Sequence, residues 1–249
     1  MDKLVYTAAT GLRAHMAAQA AIANNIANGS TTGFRADRVV FDRIELRGGG
    51  ARIEARMPTS EEVLDADRAP GVVQQTGRAL DVAVNGDAWL AVQAPDGSEA
   101  YTRRGDLRVA ASGVLETGDG FVVMGDGGPV TLPPASSITV GSDGSISIVA
   151  QGDQTGTPQV VGRLKLVSPK GSDTVKGLDN LLRVRGGGAL PVDLDAKVTA
   201  GALEGSNVNM TQALVDMIEN QRSDEVQANM MKSARDMDES GASLMRLPS

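Results

Sequence analysis

The spacing of apolar residues changes twice along this chain, and that limits its fold more than any other feature. Val5, Ala9, Leu12, Met16, Ala23 and Ile26 recur at steps of four and three, with Gln19 completing the series, so residues 3 to 28 read as a helix. A second helical run extends from about Met210 to Arg246, with Leu214, Met217, Ile218, Gln221, Ala228 and Met231 as its stripe and Leu247-Pro248 at its end. Between them lie short runs of period two, such as "LDVAVNG" and "SSITVGSDGSISIV". Asp96-Gly97 and Asp143-Gly144 are the strongest hairpin signals there. This order predicts an α+β fold. A central antiparallel β domain spans 77–185, and the N-terminal helix (1–28) pairs with the C-terminal helix (206–249) as a coiled coil. The stretches 29–76 and 186–205, charged or glycine-rich at Gly48-Gly49-Gly50 and Gly186-Gly187-Gly188, are expected to be extended arms or linkers.

Nine alanines fall in the first 28 residues, where only Asp2, Lys3 and Arg13 are charged, so no face of that helix is built for water. At 1.5 Å per residue the two helices would be about 40 and 55 Å long, and neither buries its stripe alone. An ordinary helical layer on the β domain's own face is the alternative, but long arms separate the helices from that domain. Asn28-Gly29 supplies a stop, since both residues tolerate the left-handed conformation. Asn209 is an expected N-cap, with Gln212 placed as in a capping box. The stripe Leu214, Met217, Ile218 and Met231 is expected to pack on Leu12, Met16 and Ile26 and on helices of neighbouring subunits. Six of the ten methionines fall from Met210 onward and suit such adaptable contacts.

Composition removes most chemistry. A net charge of −7 disfavours nucleic acid and anionic membranes as partners. No stretch approaches the roughly 20 apolar residues that span a bilayer, and the N-terminus reads as lacking a cleavable secretory signal. Without cysteine, and with His15 as the single histidine, disulfides, thiolate catalysis and the usual zinc sites are excluded. Asp87, Asp106, Asp119, Asp126 and Asp143 sit in glycine-flanked turns, where aspartate caps backbone amides. "GDGFVVMGDGG" fits no calcium-loop spacing, and no phosphate-binding loop occurs. Trp89 reads as a core anchor. No catalytic residue, metal site or cofactor is expected, and no small-molecule substrate.

The junction "NNIANGSTTGFRA" (24–36) resembles the signature of the flagellar basal-body rod and hook protein family. "YTAATGLRAHMAAQAAIANNIAN" before it and "LEGSNVN" (203–209) before the C-terminal helix agree, as do "DVAVNGDAWLAVQ" and "GRLKLV" in the middle. The likeness covers essentially the whole chain. Length, start and C-terminal motif are most similar to the proximal-rod branch; the distal-rod branch is the close competitor and the much longer hook protein less similar. Gly29 stands where the family more usually has a small apolar residue. The resemblance implies a structural subunit of an axial polymer, with terminal helices building the inner tube of a periplasm-spanning rod and β domains outside. It implies other rod subunits and the flagellar export machinery as partners, with no nucleic acid and no direct membrane insertion. Asn24, Asn25 and Asn28 would cap the first helix and bond neighbouring chains, Gly33 would permit the turn into the arm, and Phe34 would anchor it. Ser206 and Asn207 would join the assembly residues, with Leu12, Met16, Ile26 and the C-terminal stripe. From another class, a secreted β-rich carbohydrate-binding or cell-wall-degrading protein would need an exposed aromatic platform or a close carboxylate pair. The few aromatics count against it.

Overall fold

The computed structural model describes the backbone of residues 2–43, 59–152 and 156–244, with side chains from 11 to 38 and from 66 onward, apart from 153–155, 234, 238 and 241–244. The chain divides into two compact units. The first comprises Met1–Ala27, Asp37–Asp65 and Asn209–Ser249, and the second Asn28–Ala36 and Ala66–Val208. The expected glycine linker at 48–50 and the stop at Leu247-Pro248 lie outside the described residues.

The first unit holds helices α1 (Asp2–Ala27) and α2 (Met210–Leu244) and the paired strands Asp37–Arg43 and Thr59–Ala66. The two helices lie against each other. His15 Nδ1 is 2.8 Å from Asn220 Oδ1, and Asn220 Nδ2 donates to the His15 carbonyl at 3.1 Å. A Cβ on Gly11 would stand 3.0 Å from the Gln227 amide nitrogen, so glycine lets Gln227 approach. The covered face of α2 steps by four and three through Ala213, Met217, Asn220, Asp224, Gln227 and Met231, with Ala213 and Asn220 buried and the others half-buried. That corrects the expected stripe in part. Met217 and Met231 stand on the covered face, and Leu12 and Ile26 are half-buried. Leu214, Ile218 and Met16 are 49%, 52% and 59% exposed and contribute nothing to it. The physical reason is that the covered face carries Asn220, Asp224 and Gln227, so apolar periodicity could not mark it.

Helix ends follow local chemistry, with one correction. Among the described residues the only non-glycine with positive φ is Asn180, and Gly29 is not left-handed either. Asn28-Gly29 therefore does not form the expected left-handed stop. The helix gives way to a turn in which the Thr31 amide bonds the Asn28 carbonyl at 3.1 Å, and the chain first becomes left-handed at Gly33, φ 68°. At the other helix Asn209 is the N-cap, its Oδ1 accepting from the Gln212 amide at 3.1 Å. Gln212 turns its own amide forward to Asp216 at 2.7 Å, so the second half of a capping box is not made.

The second unit is built of antiparallel strands. Its main sheet runs in the order Thr174–Lys176, Leu182–Val184, Glu99–Thr102, Trp89–Gln93, Val122–Gly125, Leu115–Glu116, Arg108–Val109. A three-stranded sheet joins Ala135–Val140, Ser145–Ala150 and Gln159–Arg163. Both Asp-Gly pairs sit in hairpin turns, with Gly97 at φ 82° and Gly144 at φ 84°. Asp143 Oδ1 accepts from the Ser145 amide and hydroxyl, the local bonding that makes aspartate a turn residue. Strand Trp89–Gln93 alternates, as a pleated strand must: Leu90 and Val92 enter the larger apolar cluster, while Trp89 and Ala91 join Tyr101, Val167, Leu182 and Leu190 in a smaller one. Residues 186–205, read as an arm, carry Val198–Ala200, paired with Val82–Val84, and Ala202–Glu204, paired with Val73–Gln75. Leu190, Val198 and Ala202 are buried there.

Candidate functional site

The two sequence signatures meet inside the second unit. Gly33 turns the chain so that its own amide donates to the Glu204 carbonyl at 2.7 Å. Glycine is required twice over at this position. Its φ is positive, and a Cβ would fall 2.4 Å from the Arg103 carbonyl carbon and the Arg104 nitrogen. Phe34 is buried, with the Lys176 ammonium 3.8 Å from its ring centroid, and the same ammonium donates to the Arg35 carbonyl at 2.7 Å.

Beyond Phe34 the junction becomes ionic. Arg35 Nη2 stands 2.7 Å from Glu204 Oε1, and Arg103 Nε stands 3.3 Å from Glu204 Oε2. These are charge contacts rather than well-directed hydrogen bonds, for neither donor makes one. Other donors are placed on carbonyls, Arg35 Nη1 on Ala69 at 2.7 Å and Arg103 on Val84, Ala88 and Gly86, while Arg35 Nε makes no hydrogen bond. Both guanidiniums lie against the Trp89 ring, 5.8 and 5.9 Å from its centroid. Burial lowers the pKa of Arg103 to about 10, against the pull of Glu204, and the neighbouring Arg35 charge lowers it further. Two cations therefore share one buried carboxylate.

Asn207 closes the arrangement with its side-chain amide. Its Oδ1 accepts from the Ala36 amide at 2.7 Å, and its Nδ2 donates to the carbonyls of Asp67 and Ala69 at 3.1 and 2.9 Å. The Gly71 amide reaches Glu204 Oε1 at 2.8 Å. The stretches 33–36, 67–71 and 205–207 are thus held by side chains as well as by backbone bonds such as Asp67 to the Ala36 carbonyl and Gly205 to that of Val72. Ser206 acts locally, its hydroxyl accepting from the Val208 amide at 3.2 Å, and Asn28 Oδ1 accepts from the Thr31 hydroxyl. In the first unit Asn25 brackets Asp37, accepting from its amide at 2.7 Å and donating to its carbonyl at 3.0 Å, while Asn24 donates to the Asp37 carboxylate.

Of the residues singled out by sequence, the structure brings Gly33, Phe34 and Asn207 into one cluster, places Asn24 and Asn25 on a strand start, and leaves Met16, Leu214 and Ile218 exposed on helices. Arg35, Arg103 and Glu204 were missed. The available signal was a lone charge inside each otherwise uncharged signature, Arg35 after Phe34 and Glu204 after Leu203. Nothing in this cluster is a nucleophile beside a base; its chemistry is that of a clasp. Phe34, Trp89 and Tyr101 are buried and offer sugars no platform. Among the described residues no group of three or more acidic or histidine side chains could hold a metal ion, and no helix is long and apolar enough to cross a membrane.

Comparison with known proteins places this geometry in context. The profile of the flagella basal body rod protein matches residues 5–35, that of the flagellar hook protein FlgE/F/G D1 domain residues 83–148, and that of the flagellar basal body rod FlgEFG protein C-terminal region residues 199–244. The chain is 39% identical to the flagellar basal-body rod protein FlgF of Salmonella typhimurium over 94% of each chain, and 39% identical to that of Escherichia coli over 95% of each. It is 34% identical to the flagellar basal-body rod protein FlgG of Bacillus subtilis, over 89% of this chain and 91% of that one.

Proposed function

The chain belongs to the flagellar basal-body rod protein family and is a structural subunit of the rod, of the FlgF kind and so of its proximal part, and from that premise we propose that its terminal helices build the polymer. It is not an enzyme, and it assembles with other basal-body components. The observation that carries the reading is the apolar surface left on α2 after it packs on α1. Met210, Leu214 and Ile218 follow one another at steps of four and are exposed, while Val226, Met230 and Met237, also exposed, lie on a different side of the helix. A row of large apolar side chains on one side of a helix marks a face meant for a partner. Contacts between unlike faces of copies propagate into a filament when the rotation they impose does not close a ring.

In this reading α1 and α2 wind as a coiled coil whose outer faces meet helices of neighbouring subunits, copies of this chain and the rod subunits next to it. Met16, Leu214 and Ile218 belong to those contacts, Leu12, Ile26, Met217 and Met231 to the seam between the two helices, and Asn24, Asn25, Asn28, Gly33, Phe34, Ser206 and Asn207 set the chain where it leaves each helix. The β unit faces outward in a rod that crosses the periplasm. The subunit reaches it through the flagellar export machinery without cleavage of a signal. Electron microscopy of basal bodies purified from cells with and without this protein tests the reading. Rods should be missing or cut short without it, and full-length rods in its absence would overturn it.

A further inference from the structure

We propose that the buried carboxylate of Glu204 and the amide of Asn207 form a two-ended latch, coupling the segment that follows α1 to the segment that precedes α2 so that neither orders without the other. Every contact between 33–36 and 204–207 is reciprocal in this sense. The Gly33 amide needs the Glu204 carbonyl, the Ala36 amide needs Asn207 Oδ1, and the Asn207 amide needs the Phe34 carbonyl at 3.3 Å. Backbone pairs from elsewhere hold the margins, Glu204 with Val73 and Gly205 with Val72 on one side and Ala36 with Asp67 on the other, and the contacts between the two segments join what lies between.

The charges tighten the coupling. Arg103 is fixed by three carbonyls of the β unit whether or not the chain ends are in place. Among the described residues, the buried anion beside it arrives on the C-terminal side, with Glu204. Arg35 arrives on the N-terminal side, and with both side chains 2% exposed it has no solvent to turn to if Glu204 is withdrawn. An ion buried without its partner is far more costly than one left in water, so the half-closed arrangement is penalised and the latch is either made by both ends or open. The segment 67–71 reports on both, because Ala69 accepts from Arg35 and from Asn207 while Gly71 donates to Glu204. The coupling belongs to the subunit itself, whatever its helices pack against. In a polymer it means that loosening one helix exit is felt at the other.

Linkage is reciprocal, and that makes the latch measurable. Amide hydrogen exchange on the full-length protein would be followed in segments 31–36, 67–71 and 202–207, with strand Trp89–Gln93 as the internal reference. Asn207→Ala leaves all three charges in place and should preserve the fold. It should raise exchange at least ten-fold in 31–36, on the opposite side, as well as in its own segment. Arg35→Met should do the same to 202–207. Combined, the two changes should speed exchange in 67–71 by less than the product of their separate effects, because either alone opens the latch. Exchange that rises only in the altered segment would overturn the proposal, as would independent effects in the double variant. Loss of protection across Trp89–Gln93 in Asn207→Ala would also overturn it, since the contacts would then be ordinary core rather than a coupling confined to the chain ends.

Discussion

Arg35 Nη2 lies 2.7 Å from Glu204 Oε1, each side chain 2% exposed, although the two residues come from opposite ends of the chain. A buried pair of this kind contributes little net stability, because desolvating both ions offsets their attraction. Its importance lies in the asymmetry: making it is nearly neutral, while breaking it strands a charge. Here Glu204 also answers Arg103, so the loss of that one carboxylate strands two.

Glu204→Gln should therefore lower the unfolding free energy of the β unit by about 3–5 kcal/mol. Trp89 is the chain's single tryptophan and lies under both guanidiniums, so its fluorescence during denaturant unfolding follows the right part of the molecule. A loss below about 1 kcal/mol would mean that the pair is effectively solvated, since exposed pairs contribute no more than that.

Two glycines with nearly the same backbone separate conformational strain from crowding. Gly33 has φ 68° and Gly86 φ 66°, but a Cβ at Gly86 would meet nothing within 4 Å. Gly86→Ala should cost about 1–2 kcal/mol, the left-handed penalty alone. Gly33→Ala must also displace the backbone at Arg103 and Arg104, and its cost should be clearly larger. Equal losses in matched denaturation curves would show that the junction yields without strain.

Alkaline stability should depend on Tyr101. Burial raises its pKa from 10.0 to about 12, and its hydroxyl accepts from the Leu190 amide at 2.6 Å. The folded state holds this proton more tightly than the unfolded chain. Its contribution is therefore complete below pH 10 and is lost as the pH rises from 10 to about 12. Tyr101→Phe should start less stable, having lost the bond to Leu190, but its unfolding free energy should fall less steeply across that window. Parallel curves for the two proteins would refute the assignment.

The exposed face of α2 and its covered face should respond differently to the same charge. Leu214→Asp changes a half-exposed position, so folded stability should move by no more than about 0.5 kcal/mol while cells fail to complete the rod. Ala213→Asp places the charge on the covered side. It should reduce helix content by circular dichroism in the isolated subunit, since an unpaired buried charge costs several kcal/mol. Flagella of normal number with Leu214→Asp would remove this face from assembly.

The sequence alone determined what depends on near neighbours. Helical spacing located both helices, the cap at Asn209 placed the start of α2, and the Asp-Gly pairs placed two hairpins, because φ preferences and short-range amide bonding act within a few residues. The turn at Gly33 was implied by the family resemblance rather than by local spacing. Tertiary structure alone decided which face of α2 is covered, because a stripe records that a helix wants a partner and not whether the partner is α1 or another molecule. It also decided that residues 198–204 form strands, since their partners Val73–Gln75 and Val82–Val84 lie far back along the chain. Above all it decided the roles of Arg35, Arg103 and Glu204. A lone charge within an otherwise uncharged signature reads as exposed until its counter-ion is located, and only the folded chain, by removing water from all three at once, turns them into a clasp.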